Sequence, residues 1–341
     1  MDYRSFGRTA LSVSEIGFGC SRLSGSVNYK SDKEVLSILL QAFDRGVTFY
    51  DTADMYAQGR SERLLGDAFR NKRDAVIIAT KAGYHLSTAG RVVAKLKPLL
   101  RPLVRWTRRA RTRVQPVQPT WGAQNFSSDY IRRAIDGSLR RLKTDYLDIF
   151  QLHSPPPEII ETGEFISTLE HAKAQGKIRS YGVSCRAIED AALCFRHPGI
   201  TSVQLPINLL EFKGVVSVLA LAAQKHVAVI ARQPLASGYL AQPVALLKRR
   251  HFSEQEQEFT EKLERARAYQ FLAQADCRTI AQAAIQFVLR LSGVSVVITG
   301  MSTRKHLADT LATAACPLTQ HEMARIYAVL DQEIIGALET T

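Results

Sequence analysis

The sequence lacks the features that mark several protein classes. No run approaches the ~18 uninterrupted apolar residues of a membrane-spanning helix. The opening MDYRSFGRTALS carries charges near its start and no long apolar core, so no secretory leader and a cytoplasmic setting are expected. Cysteines are few. Cys20, Cys185, Cys194, Cys277 and Cys316 are odd in number, scattered, and form no C-x-x-C pair. That pattern suggests neither a zinc ribbon nor a disulfide framework and fits a reducing compartment. There is no G-x-S-x-G of a serine hydrolase and no histidine cluster at metal-ligand spacing, so no metal site is expected. Gly17-Phe18-Gly19 begins like a dinucleotide fingerprint, but Arg22 stands where the third glycine belongs, and the segment reads as a tight strand end. Acidic residues are absent from 84–126, which carries nine of the thirteen net positive charges (Arg91, Lys95, Lys97, Arg101, Arg105, Arg108, Arg109, Arg111 and Arg113). Basicity is therefore a property of one segment. With no nucleic-acid motif beside it, no nucleic-acid partner is expected.

What is present is ordinary globular composition, 46% hydrophobic and 23% charged over 341 residues, enough for a sizeable core. Short apolar, β-branched runs alternate with helical patterns. The runs are Ile16–Cys20, Val47–Asp51, Ala75–Lys81, Tyr146–His153, Ser180–Ser184, Ser202–Pro206, Val227–Arg232 and Ser295–Thr299. Most are continuous rather than alternating, as in strands covered on both faces. Between them, Ser31-x-x-Glu34 reads as a capping box ahead of Val35, Leu36, Ile38, Leu39 and Ala42, with Gly46 as the stop. Ser127 and Ser128 precede a second helical repeat from Ile131 to Leu142.

Eight strands alternating with helices point to a parallel α/β sheet, and eight is the number that closes a (β/α)8 TIM barrel. An open doubly wound sheet is the competing architecture. A barrel needs about 250 residues. The remainder falls into two insertions, 84–126 and 242–276, within a single domain over 1–341. In such a barrel, chemistry collects at the C-terminal strand ends. Those ends read Asp51-Thr52-Ala53-Asp54-Met55-Tyr56, Thr80-Lys81, His153-Ser154, Ser184-Cys185, Gln204, Arg232-Gln233 and Gly300-Met301-Ser302. Tyrosine, lysine, aspartate and histidine on neighbouring ends suit proton transfer. An ammonium beside a phenol stabilises phenolate, a carboxylate holds the ammonium charged, and an imidazole can orient a substrate oxygen. None of these is an activated nucleophile. The set suits donation of a proton to an oxygen that becomes negative as hydride reaches its carbon.

The stretch FYDTADMYAQGRSERLLGDAF (49–69) resembles the signature of the aldo-keto reductase superfamily. ATKAG, LDIFQLHSP, GKIRSYGVS, SVQLPINLLE and SVVITGMSTRKHLADTL follow in family order, and YRSFGRTALSVSEIGFGC resembles its N-terminal hairpin and first strand. The resemblance runs from about residue 3 to about 335 and implies a (β/α)8 barrel binding NADPH, with NADH as the alternative. It implies a tetrad of Asp51, Tyr56, Lys81 and His153, with Tyr56 as general acid, Lys81 depressing its pKa, Asp51 pairing with Lys81 and His153 placing the carbonyl.

For the dinucleotide, the resemblance implies contacts from Cys20 and Asp51, and from Ser184, Cys185 and Gln204 around the carboxamide. Cys185 departs from the usual asparagine. Arg232 stands where many members place an aromatic. Gln233-Pro234-Leu235 with Ser237 and Gly238 corresponds to the pyrophosphate loop, Gln233 replacing a common serine. Gly300, Ser302, Arg304, His306, Asp309 and Thr310 correspond to the 2′-phosphate and adenine segment, where lysine and Glu-Asn are frequent at 300 and 309–310. The implied partner is a small carbonyl or alcohol, in a monomer or homo-oligomer. A nucleotide-sensing regulatory subunit with little turnover is the alternative reading. For the basic segment, a solvated loop, a substrate lid and a membrane-surface contact through 91–113 are the options.

Overall fold

The computed structural model describes residues 1–23, 31–84, 123–251 and 255–339. Most of the basic segment, including the membrane contact considered for 91–113, lies outside the described residues.

The chain opens with an antiparallel hairpin, β1 (Tyr3–Ser5) and β2 (Ser12–Ser14). Eight parallel strands follow: β3 (Ile16–Gly19), β4 (Phe49–Asp51), β5 (Ile77–Ala82), β6 (Leu147–His153), β7 (Ile178–Ser184), β8 (Ser202–Pro206), β9 (Ala228–Arg232) and β10 (Val294–Thr299). They close in sequence order, with β10 pairing both β9 and β3. The sheet is thus a closed barrel and not the open doubly wound alternative.

Helices cover the outside. Those nearest the site are α1 (Asp32–Asp44), α2 (Arg60–Ala68) and α3 (Ser128–Leu142). Next come α4 (Pro157–Thr162), α5 (Phe165–Ala174), α6 (Asp190–Cys194) and α7 (Val215–Gln224). The chain ends through α8 (Val244–Arg250), α9 (Glu256–Ala268), α10 (Ile280–Leu289), α11 (Arg304–Leu311) and α12 (Gln320–Glu339). Their starts follow the sequence signals. Ser31 and Ser127 cap α1 and α3 by accepting from the amides of Glu34 and Tyr130, which satisfies an otherwise orphaned donor. Gly46 turns the chain after α1 at φ +91°, a conformation that costs glycine little.

Strand alternation divides the core in two. Outward residues such as Tyr50, Ile78, Phe150, Tyr181, Val203 and Val297 join the helices in one apolar layer. Inward residues Phe49, Ala79, Ile149, Ala228, Ile230, Val296 and Ile298 fill the barrel from within, joined by Phe6 and Val13 of the hairpin region. The hairpin thereby plugs the N-terminal end, with the rings of Phe6 and Phe49 5.9 Å apart. The strand-end reading of Gly17 has its physical reason here. A Cβ there would stand 2.8 Å from Phe49 Cδ1 and 2.9 Å from Ile298 Cγ2.

One expectation changes, and one segment gains detail. The second insertion, 242–276, builds helices α8 and α9, and Leu247, Phe259, Ala266, Tyr269 and Leu272 are buried in the main core. Its mixed charges hid an apolar stripe at helical spacing. The cysteines do include a bridge: Cys277 and Cys316, separated by 39 positions, are disulfide-bonded. Spacing could not reveal a pair that only the fold brings together. Cys20, Cys185 and Cys194 are free and buried.

Because Phe6 is wholly buried in the plug, Phe6→Ala is expected to lower unfolding free energy by about 3–5 kcal/mol. Urea unfolding monitored by circular dichroism measures this. A loss within error of zero would mean that the hairpin does not seal the barrel.

Candidate active site

The alternation that packs the barrel also builds its mouth. Two residues beyond inward Phe49 comes Asp51, two beyond Ala79 comes Lys81, and two beyond Ile230 comes Arg232. Ile149 leads on the same face to Gln151 and then His153. Ser184 at the end of β7 is paired in register with Gln204 in the middle of β8. Apolar side chains at the bottom and polar ones at the top therefore share one face of each strand.

Lys81 is the centre. Its ammonium is 1% exposed and donates to both carboxylate oxygens of Asp51, at 2.7 and 2.8 Å, and to the Thr52 carbonyl at 2.7 Å. Gln204 Nε2 donates to Asp51 Oδ1 at 2.7 Å, and Ser184 Oγ donates to Gln204 Oε1 at 3.0 Å. Four strands are thereby tied through polar groups. Burial pushes the Lys81 pKa down, but Asp51 and the Tyr56 phenol hold it above the usual lysine value.

Tyr56 is half-buried in the loop joining β4 to α2. Ala57, Gln58 and Gly59 just after it are all left-handed, at φ 46°, 59° and 78°. Two non-glycine residues in that region are a local strain held in place by the surrounding packing. Lys81 Nζ lies 5.2 Å from the centre of the Tyr56 ring. Burial pushes the phenol pKa up, while the Lys81 charge and its hydrogen bond pull it down. The net direction is upward, so the expectation of a depressed pKa is corrected: in this state desolvation exceeds the ammonium's effect. His153 meets the Tyr56 ring edge-on at 5.8 Å and the Tyr84 ring edge-on at 5.0 Å. Burial, then the charges of Lys81 and Arg232, hold its pKa well below the ordinary histidine value, so the imidazole is neutral. Its Nδ1 has no hydrogen-bond partner among the described residues.

The other expected residues fall into three groups. Ser184, Gln204 and Arg232 stand with the cluster. Arg232 Nη2 donates to the carbonyls of Cys185 and Arg186 at 3.0 and 3.2 Å, and its Nη1 bonds Gln233. The turn after β9 holds Gln233, Ala236 and Ser237 in left-handed conformations, with Pro234 and Gly238 buried and Leu235 half-buried. Past β10, Gly300, Arg304, His306 and Asp309 are exposed, Ser302 is half-buried and Thr310 buried, around an α11 N-terminus capped by Thr303 at 2.9 Å from the His306 amide. Two thiols differ. Cys185 Sγ lies 3.7 Å from Cys194 Sγ in the core, and Cys20 Sγ lies 3.6 Å from the Phe18 carbonyl. Both side chains pack structurally.

Sequence reasoning passed over Asp54, Tyr84, Tyr130 and Gln151. Asp54 was visible inside DTADMY, and Gln151 follows from alternation before His153. Tyr84 and Tyr130 flank the basic segment and gave no periodic signal.

A closed parallel barrel whose C-terminal mouth gathers a phenol, a buried ammonium, a carboxylate and a neutral imidazole is the frame of an oxidoreductase. The chain belongs to the aldo/keto reductase family, whose model matches residues 15–331. It is 30% identical to the oxidoreductase YqkF of Bacillus subtilis, over 99% of each chain. It is 25% identical to the aldo-keto reductase yakc [NADP(+)] of Schizosaccharomyces pombe, over 95% of this chain and 91% of that one. Among solved structures, the holo form of aldo-keto reductase AKR11C1 from Bacillus halodurans superposes with a TM-score of 0.74 at 26% identity, covering 96% of each chain.

Removing one member of the buried pair leaves the other charge without compensation. Lys81→Met is expected to cost about 3–5 kcal/mol of stability, and Asp51→Asn with Lys81→Met together less than the sum of the single changes. A denaturation double-mutant cycle tests this. Additive losses would show that the pair is not coupled.

Proposed function

We propose that this protein is an NADP-dependent aldo-keto reductase that interconverts a small aldehyde or ketone and its alcohol by direct hydride transfer, with Tyr56 as the general acid. The reading takes residues 1–341 as one catalytic domain. The observation that carries it is the Lys81 ammonium held between the Asp51 carboxylate and the Tyr56 phenol.

The residues present fit a nicotinamide dinucleotide. Gln204 keeps one N–H and one lone pair beyond its bonds to Asp51 and Ser184, the donor and acceptor that a carboxamide needs. The Cβ direction of Gly300 meets nothing within 4 Å. Arg304 and the Thr303-capped N-terminus of α11 offer a guanidinium and the positive end of a helix to a 2′-phosphate. The name of the yakc relative carries NADP(+), which supports NADPH over NADH. Ser184 and Gln204 would hold the carboxamide, Arg232 would lie by the ring, and Gln233 to Gly238 would meet the pyrophosphate. When bound, the reduced cofactor supplies the hydride.

The chain's own residues supply position and a proton. Its raised pKa keeps Tyr56 protonated near neutral pH, armed to donate as negative charge grows on the substrate oxygen. Lys81 stabilises the phenolate left behind, and Asp51 keeps Lys81 charged. Neutral His153 can hydrogen-bond the same oxygen without adding a positive charge of its own. Cys20, expected among the contacts, could serve only through its backbone. A cytoplasmic setting belongs to this proposal. The free thiols Cys20, Cys185 and Cys194 support it, and the Cys277–Cys316 bond weighs against it. A purely regulatory subunit would leave the complete cluster without chemical work.

Purified protein is expected to oxidise NADPH with members of an aldehyde panel. Glyceraldehyde is the first choice, because D-threo-aldose 1-dehydrogenase of a Pseudomonas species is a 26% identical relative. Tyr56→Phe is expected to lower kcat/KM by about 100- to 10,000-fold. Loss of reduced-nicotinamide absorbance follows both. Undiminished turnover by Tyr56→Phe would remove the general acid from the mechanism.

A further inference from the structure

Asp54 lies between the Asp51 and Tyr56 of the cluster and has no part in the mechanism above. Its amide donates to the Lys81 carbonyl at 2.9 Å, which fixes its backbone to the end of β5. Its Oδ1 is buried without a hydrogen-bond partner among the described residues. Its Oδ2 stands 3.4 Å from the phenol oxygen of Tyr130 on α3. The same phenol oxygen stands 3.1 Å from the carbonyl of Tyr84. Tyr84 in turn presses its ring edge-on against His153, at 5.0 Å between centres.

The proton count across this chain decides its behaviour. A phenol has one proton to donate, and a carbonyl and a carboxylate can only accept. When Asp54 is ionised, both neighbours compete for the single Tyr130 proton. When Asp54 is neutral, its own O–H donates to the Tyr130 oxygen and Tyr130 donates to the Tyr84 carbonyl, so both contacts are satisfied at once. We propose that Asp54 and Tyr130 are positioning residues that hold Tyr84 against His153 when Asp54 carries a proton and loosen it when the proton leaves, setting the affinity of the site for its carbonyl substrate. The inference deepens the reductase reading and rests on it for the substrate.

The surroundings put this switch in a useful range. Burial, then the charge of Glu62, raise the Asp54 pKa to about 7, with Arg141, the Met55 amide and Tyr130 acting in the opposite direction. Glu62 on α2 is itself buried and accepts from Thr80 at 2.7 Å and from Arg141 of α3. That bond commits the Arg141 guanidinium to Glu62. Lys81 is committed to Asp51. His153 stays neutral below this range and Tyr56 protonated above it, so neither titrates with Asp54. The sign is that of a carboxyl with raised pKa: the hold is present below about pH 7 and is lost as pH rises through it.

Two measurements test the idea, one without turnover. Hydrogen exchange of the amides at 83, 84 and 125, followed by mass spectrometry, is compared between wild type and Asp54→Asn, in which the side-chain amide donates to Tyr130 at every pH. The wild-type to variant ratio is expected to be near unity at about pH 6 and to rise several-fold by about pH 8. Tyr130→Phe is expected to exchange fast at both. In steady-state kinetics with NADPH and glyceraldehyde, wild-type KM for the aldehyde is expected to climb several-fold over the same range with kcat little changed, and KM of Asp54→Asn to stay flat. A constant exchange ratio would overturn the proposal whether or not the protein reduces glyceraldehyde. A rising ratio with no turnover would leave the switch standing and count against the reductase reading instead. A KM that climbs equally in Asp54→Asn would also overturn it.

Discussion

The buried ammonium of Lys81 is the constraint around which the site is organised. Taking a charge out of water is tolerable only when the protein replaces its hydration with fixed partners. Lys81 has both oxygens of Asp51 and the Thr52 carbonyl. Those partners come from the end of β4, the strand paired directly with β5, while Gln204 of β8 reaches Asp51 from a strand that is not its neighbour in the sheet, which the closed barrel allows. Gln204 and Ser184 extend the network to β8 and β7. An ammonium fixed in a low-dielectric pocket then acts on its neighbours far more strongly than it would in water. It makes a phenolate at Tyr56 less costly and helps keep His153 uncharged. In the proposed mechanism, one desolvated charge thus serves both the proton donor and a neutral hydrogen-bonding group.

Much of this was legible because strand alternation and chemistry coincide. The eight apolar runs located the strands, and their last inward residues located the cluster. The positions of Asp51, Lys81 and His153 needed only the period of two and the expectation that chemistry collects at the C-terminal strand ends. What stayed hidden depends on distances that no local pattern encodes. The Cys277–Cys316 bridge joins segments flanking α10 and preceding α12. The helices of 242–276 bury an apolar stripe that the dense surface charge of that segment obscured. Cys185 occupies a position where a polar side chain was implied, yet the thiol turns outward to Cys194, because packing between β7 and α6 favours a small apolar group. The direction of the Tyr56 pKa could not be read either, since it is a contest between burial and the charges around the phenol.

Two carboxylates three residues apart show how environment assigns roles. Asp51 faces a cation on its own strand layer and is locked to it at 2.7 and 2.8 Å. Asp54 faces a carboxylate, Glu62, and its one nearby guanidinium is already engaged with that carboxylate. The first is therefore a permanent counter-charge and the second a group whose proton is negotiable near neutrality. The same residue type at the same loop serves opposite ends because each is judged by what it loses on leaving water and what it finds instead. Tyr130 is the means by which that second carboxylate is felt elsewhere, since its single proton links α3 to the Tyr84 carbonyl at the foot of the basic segment. A site of this kind separates two requirements. In the proposed mechanism the reacting proton must be held rigidly, which the Lys81 network would provide, whereas a wall that would meet the substrate gains from being adjustable, and an incompletely satisfied carboxyl would provide that at little structural expense.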